Sequence, residues 1–248
     1  MITLASDFGS PYPAAMRGVV LQRTDARLVD VAHDFPRQDV RAAAFWLRET
    51  LPYFPPAIHL AVVDPGVGTD RDVLVVRAGD HALVGPDNGL LLPPARRIDA
   101  DVDAFVADPG TPASSTFHGR DVFAPLAADV HEVGVDALGT MDRLEPADAY
   151  VDLALPTAAV DDARAEGEVL AVDDFGNVVT NVPGDVLGGR ETVRVNGDAV
   201  PVGETFAAVD PGDPVVTVGS HGYVECDVNR GRGDDYFGLA PGDEVTID

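Results

Sequence analysis

Short apolar runs alternate with helix-length stretches through the first half of the sequence, and after about Leu155 that alternation stops. Such alternation predicts a layered α/β fold with a mostly parallel sheet, since each crossover between parallel strands needs a helix to return the chain. Residues 2–5 predict a first buried strand, followed by a turn with Gly9, Pro11 and Pro13, a helix over about 14–22 and a strand over 27–31. Residues 39–51 place Val40, Ala43, Ala44 and Leu47 on a helical period that stops before Pro52. The most strand-like run, 58–63, ends in Asp64-Pro65-Gly66-Val67-Gly68. In open α/β sheets ligands sit beyond the carboxyl ends of the strands, so this loop lies where a ligand would bind.

Beyond Leu155 the runs 167–172, 192–195, 215–218 and 244–247 are separated by Gly, Pro, Asn and Asp, the texture of a small all-β domain. The polar stretch 155–164, including Asp161, Asp162, Ala163 and Arg164, reads as the linker. The expected domains are therefore 1–156, α/β, and 157–248, all-β.

Composition excludes several function classes. Apolar residues, 46% of the chain, are dispersed and never form a spanning run. No basic segment followed by an apolar one opens the sequence, which predicts a cytoplasmic protein. The single cysteine, Cys226, can form neither an internal disulfide nor a CxxC pair and is expected to lie buried in a strand. The 42 acidic residues outnumber 17 basic ones, for a net charge of −25, and lysine is absent. A nucleic-acid backbone would be repelled. The charge fits a surface adapted to high salt, and a halophilic source is expected.

Generic motifs are missing. Gly66-x-Gly68 lacks the third glycine of a dinucleotide fingerprint, and there is no GxxxxGK, HExxH or GxSxG. The histidines, at 33, 59, 81, 118, 131 and 221, show no metal-ligand spacing, so neither metal nor cofactor is expected. What remains is a set of polar turns, most following apolar strands: Ser6-Asp7-Phe8-Gly9, Asp64 to Gly68, Thr116 to Asp121, Asp173 to Asn177, and Gly219 to Tyr223. Aspartate beside an aromatic and a glycine suits a flat, hydroxylated ligand: carboxylates accept from a diol, rings stack, and glycine admits close backbone approach.

Taken together with Val31-Ala32-His33, Val84 to Leu91, Ser115 to Pro125 and Asp174 to Asn181, these segments resemble the S-adenosylmethionine hydroxide adenosyltransferases, in the superfamily of the adenosylmethionine-dependent fluorinase and chlorinase. The resemblance runs over nearly the whole chain. It implies an α/β N-terminal domain followed by a β-barrel, and a homotrimer with inter-subunit active sites. It further implies hydrolysis of S-adenosylmethionine to adenosine and methionine, with Asp64, Arg71 and His118 as the catalytic trio. Asp7 would hold the ribose hydroxyls, and Asp173 with Asn177 the amino-acid or adenine polar groups. Phe175 would form an aromatic wall, while Ser220 and the backbone near Asn229 and Arg230 would hold the far end of the ligand. Phe8, Tyr12, Phe117, Gly119 and His221 complete the implied binding set. The loop Ser10-Pro11-Tyr12 is shorter than the family's usual form, and His221 stands where the fluorinase has arginine.

The fluorinase has tyrosine where Asp64 sits and serine, next to its halide, where Gly119 sits. A carboxylate repels a halide, whereas water benefits from a proton acceptor. A hydrogen-bonded Asp64/His118 pair oriented by Arg71 is expected, with His118 taking the proton. Apart from the resemblance, Asp64 and Arg71 would read as an ordinary loop ion pair and His118 as a cap. A halide adenosyltransferase and a non-catalytic ligand-binding protein are the competing readings.

Overall fold

The computed structural model describes residues 1–161 and 164–248, so Asp162 and Ala163 of the expected linker lie outside the described residues. The chain forms two compact units, Met1–Leu155 and Pro156–Asp248.

The first unit contains, in order, β1 (Ile2–Ser6), α1 (Tyr12–Leu21), β2 (Leu28–Ala32), α2 (Val40–Thr50), β3 (Ile58–Val62), β4 (Val73–Ala78), β5 (His81–Pro86), α3 (Leu92–Ile98), β6 (Val102–Ala107), α4 (Ala124–Val133) and β7 (Leu144–Pro146). The strands form one sheet in the order β2-β1-β3-β5-β4-β6-β7. The expected parallel pairing holds from β2 to β5, while β4, β6 and β7 add an antiparallel half. α1 begins at Tyr12, with Pro13 in its first turn, where a missing N–H costs nothing. α2 is capped by Asp39, whose carboxylate accepts from Ala42 N at 2.9 Å.

Alternation along the strands gives the sheet two apolar faces. Ile2, Leu4, Leu60 and Val75 join Met16 of α1 and Leu126 of α4 in one core. Ala61, Leu74 and Val76 join Leu47 of α2 and Ala95 of α3 in the other. This is an α/β/α sandwich.

The second unit contains β8 (Ala159–Val160), β9 (Ala165–Val172), β10 (Val178–Pro183), β11 (Thr192–Val195), β12 (Asp198–Pro201), β13 (Pro214–Val218), β14 (Tyr223–Val228), α5 (Gly233–Phe237) and β15 (Glu244–Ile247). Its sheet runs β12-β11-β15-β9-β10-β14-β13, and a bridge from Val202 to Val216 brings the two ends together into a nearly closed barrel. Val193, Val216, Val224, Cys226 and Ile247 fill it, so Cys226 is buried in a strand. One expectation is corrected here: Ala159 and Val160, placed in the linker, pair with Glu166 and Ala165 of β9. Two residues of pairing are too short to leave an alternating pattern among polar neighbours.

Candidate active site

Asp64 lies two residues beyond β3, Arg71 two residues before β4, and His118 immediately before a π turn, Gly119–Phe123, that leads into α4. π turns of this kind occur often at functional sites. Both Asp64 oxygens face Arg71: Nε donates to Oδ1 at 2.6 Å and Nη2 donates to Oδ2. Gly66 N also donates to Oδ1, at 3.1 Å. The pair is secluded, with side-chain exposures of 2% for Asp64 and 11% for Arg71. A two-point ion pair of this kind fixes the guanidinium plane. That plane lies over the Phe123 ring at 5.0 Å. A Cβ on Gly66 would stand 3.2 Å from Thr69 Oγ1 and 3.4 Å from Arg71 Cδ, so glycine leaves the arginine room to fold back over its own loop.

The third member joins through arginine. Arg71 Nη2 donates to His118 Nδ1 at 3.4 Å, near the limit of a hydrogen bond. Among the described residues no hydrogen bond joins Asp64 to His118, so the expected direct pair is corrected: the guanidinium occupies the carboxylate and stands between the two.

Phe8, Tyr12 and Phe117 form a perpendicular aromatic cluster, with centroids 5.4 Å apart for Tyr12–Phe117 and 6.1 Å for Phe8–Phe117. Phe117 precedes His118 and so joins this cluster to the trio. Arg120 lies 5.1 Å over its ring. Gly119 is buried beneath Met16 and Phe117. Asp7 Oδ2 accepts from Gln38 N at 2.7 Å, which ties the end of β1 to the loop before α2.

In the second unit Asp173 organises its own turn, accepting from Phe175 N and Asn177 N at 2.9 Å and from Asn177 Nδ2 at 3.0 Å. The turn leaves Phe175 78% exposed, a bare aromatic face. Ser220 and His221 occupy a turn closed by Gly222 N donating to Gly219 O at 2.9 Å. Asn229 spends its amide on Val209 O at 2.7 Å, and Arg230 holds φ +58. These last two lie in the loop between β14 and α5.

Two residues escaped the sequence reading. Asn88 Nδ2 donates to Val63 O at 2.8 Å and buttresses the chain just before Asp64; its place in the quoted Val84 to Leu91 segment was the available signal. Glu225 of β14 packs so closely on the Ser220 turn that a Cβ on Gly219 would lie 1.9 Å from its Oε1. Burial, then the charges of Asp227 and Asp173, push its pKa up to about 7. Nothing local marks a strand glutamate as buried.

Family models describing the SAM hydroxide adenosyltransferase N-terminal and C-terminal domains match residues 2–139 and 167–246. The chain is similar to the (R)-S-adenosyl-L-methionine hydrolase of Salinispora tropica, 40% identical over 99% of this chain and 97% of the relative. It is 43% identical to the enzyme of the same name from Thermus thermophilus, over 98% of this chain and 97% of the relative. Among solved structures, an uncharacterized conserved protein from Thermotoga maritima superposes with a TM-score of 0.86 at 31% identity, covering 100% of this chain and 99% of that one. A conserved hypothetical protein from Thermus thermophilus does so with a TM-score of 0.77 at 39% identity, with the same coverage. Both domain models match in order, and full-length relatives stand well above 30% identity; the chain belongs to the SAM hydroxide adenosyltransferase family.

Proposed function

We propose that this chain is a cytoplasmic, homotrimeric S-adenosylmethionine hydrolase that uses Asp64, Arg71 and His118 to direct water onto the ribose C5′ carbon. The reading rests on family membership and, above all, on the convergence of those three side chains through Arg71. The two units, divided between Leu155 and Pro156, are the two domains of the enzyme, one residue before the boundary expected from the sequence.

The reaction forms a C5′–O bond and breaks the C5′–S bond, whose electron pair goes to sulfur and releases neutral methionine; water loses one proton. Because the leaving group departs from a sulfonium cation, no general acid is needed. The nucleophile is the weak partner, and a positioned acceptor is worth roughly 10²–10⁴-fold. Asp64 is committed to Arg71. Among the described residues His118 Nδ1 meets only the 3.4 Å contact; water displaces Arg71 there and gives its proton to His118, while Asp64 keeps the guanidinium beside the ring. Asp7 holds the ribose diol, with Phe8, Tyr12 and Phe117 beside it and Gly119 beneath; in the homotrimer the neighbouring copy's Asp173, Phe175, Asn177, Ser220, His221 and the backbone near Asn229 and Arg230 hold the rest of the ligand.

The relatives' name specifies the (R) sulfonium epimer, and we extend that preference to this chain. Displacement at C5′ is the same for both epimers. Selection therefore resides in how the site receives the sulfonium methyl and the methionine arm.

Incubation with each separated epimer in high chloride tests the reading: adenosine and methionine should appear, faster from the (R) form. His118→Ala should lower kcat by at least about 10²-fold with KM within about tenfold. Accumulation of 5′-chloro-5′-deoxyadenosine, or an unimpaired His118→Ala enzyme, would overturn it. Sedimentation should give a trimer.

A further inference from the structure

Ser6 is the last residue of β1 and fully buried, and its hydroxyl lies 2.7 Å from His33 Nδ1. His33 Nε2 lies 3.0 Å from Asp30 Oδ1, and the other Asp30 oxygen accepts from Arg17 Nη1 on α1. A chain of hydrogen bonds thus runs from α1 through the end of β2 to the end of β1. Its polarity follows from its last member: an ionised carboxylate only accepts. Burial raises the Asp30 pKa, but the His33 hydrogen bond and the Arg17 charge outweigh it and hold the carboxyl below its ordinary range. Nε2 of His33 therefore carries a hydrogen, and in the neutral ring Nδ1 is then the acceptor to which the Ser6 hydroxyl donates.

His33 grips the same segment a second time. Its carbonyl accepts from Gly9 N at 2.9 Å, and Gly9 sits at φ +59, where glycine is favoured. The residues between the two grips are Asp7 and Phe8. Asp7 itself is tethered through its carboxylate, which accepts from Gln38 N.

We propose that His33 is a positioning residue for substrate binding: with Asp30 behind it, it clamps Ser6 and Gly9 so that the Asp7 carboxylate is presented to the ribose hydroxyls. This rests on the reading of Asp7 as the ribose ligand. None of Ser6, Asp30 and His33 belongs to the trio that handles water, so loss of the clamp acts on affinity before it acts on chemistry. An ordered carboxylate binds a diol without first surrendering loop entropy, and a loosened one does not.

The test is steady-state hydrolysis of S-adenosylmethionine by single and double variants, each first checked for a cooperative melt. His33→Ala and Ser6→Ala should raise KM roughly tenfold with kcat within about threefold. His33→Asn, whose side-chain oxygen can accept from Ser6 near the place of Nδ1, should recover much of the loss. Asp7→Ala should raise KM by more, and Asp7→Ala/His33→Ala should match Asp7→Ala alone, because the clamp then has nothing to present. Additive effects in the double variant, or an unchanged KM in His33→Ala while Asp7→Ala weakens binding, would overturn the positioning role and leave Asp7 standing. An unchanged KM in Asp7→Ala would instead remove the ribose reading, and this proposal with it. If His33→Ala fails to fold, Ser6→Ala and His33→Asn carry the same comparison.

Discussion

A Cβ on Gly119 would lie 3.1 Å from Met16 Sδ and 3.2 Å from Phe117 Cε2, closer than side chains ordinarily pack. The superfamily's fluorinase places serine at this position, next to its halide, but here the space is already filled from α1. Gly119→Ser must push Met16, which can yield, and Phe117, which adjoins His118. The variant should therefore lose roughly tenfold or more in kcat and still form no chlorinated product in molar chloride; chlorinated nucleoside by chromatography would show that one hydroxyl suffices to change the nucleophile. Asp64 and His118 stand in turns that the sequence marks, whereas Arg71 and the grouping of the three came from the family resemblance alone. Their wiring was not legible. That Arg71 separates Asp64 from His118 depends on a side chain folding back seven residues over Gly66, which no local pattern encodes.

Strands and helices were legible where one period dominated: α2 and β3 fall within a residue or so of their expected limits because apolar spacing and Pro52 mark them. Pairing is nonlocal, and so the antiparallel half of the first sheet and the two-residue β8 were hidden. β14 shows what pairing adds. Its alternation sends Val224 and Cys226 into the barrel core and Glu225 and Asp227 to the other face, yet those acids are only 8% and 0% exposed. Asp227 accepts from Thr217 Oγ1 at 2.8 Å, while its Oδ1 has no hydrogen-bond partner among the described residues. Burial leads in raising the Glu225 pKa from 4.5 to about 7 and the Asp227 pKa from 3.8 to about 6. In both, the folded state binds the proton more tightly than the unfolded one. Their contribution to stability is complete below about pH 4 and is lost as pH rises through 6 to 7. For Glu225 the rise from 4.5 to about 7 corresponds to about 3 kcal/mol. The melting temperature should fall between pH 5 and pH 8, and Glu225→Gln should flatten that fall; equal slopes for both proteins would place the acid in water.

Over the whole molecule the sequence carries 42 acidic against 17 basic residues, and every basic residue is arginine. Arg17, Arg71, Arg96, Arg120 and Arg232 each lie against an aspartate, so much of the positive charge is already paired. The acids left over repel one another across the surface. Added salt weakens both the exposed ion pairs and this repulsion, and the two effects have opposite signs. Exposed pairs are worth at most about 1 kcal/mol each, whereas the net charge of −25 acts on the folded chain as a whole. Repulsion should win. Screening shortens from about 10 Å at 0.1 M salt to about 3 Å at 1 M, so the melting temperature should rise by several degrees or more over that interval. The Asp64–Arg71 pair, nearly sealed from solvent, is screened far less, so the proposed trio should keep its geometry in concentrated salt. Calorimetry in KCl and NaCl checks the first point and kcat across the same series the second. A screening mechanism requires the two salts to act alike, so a rise confined to one of them would point to a specific cation site and against a diffuse charge effect.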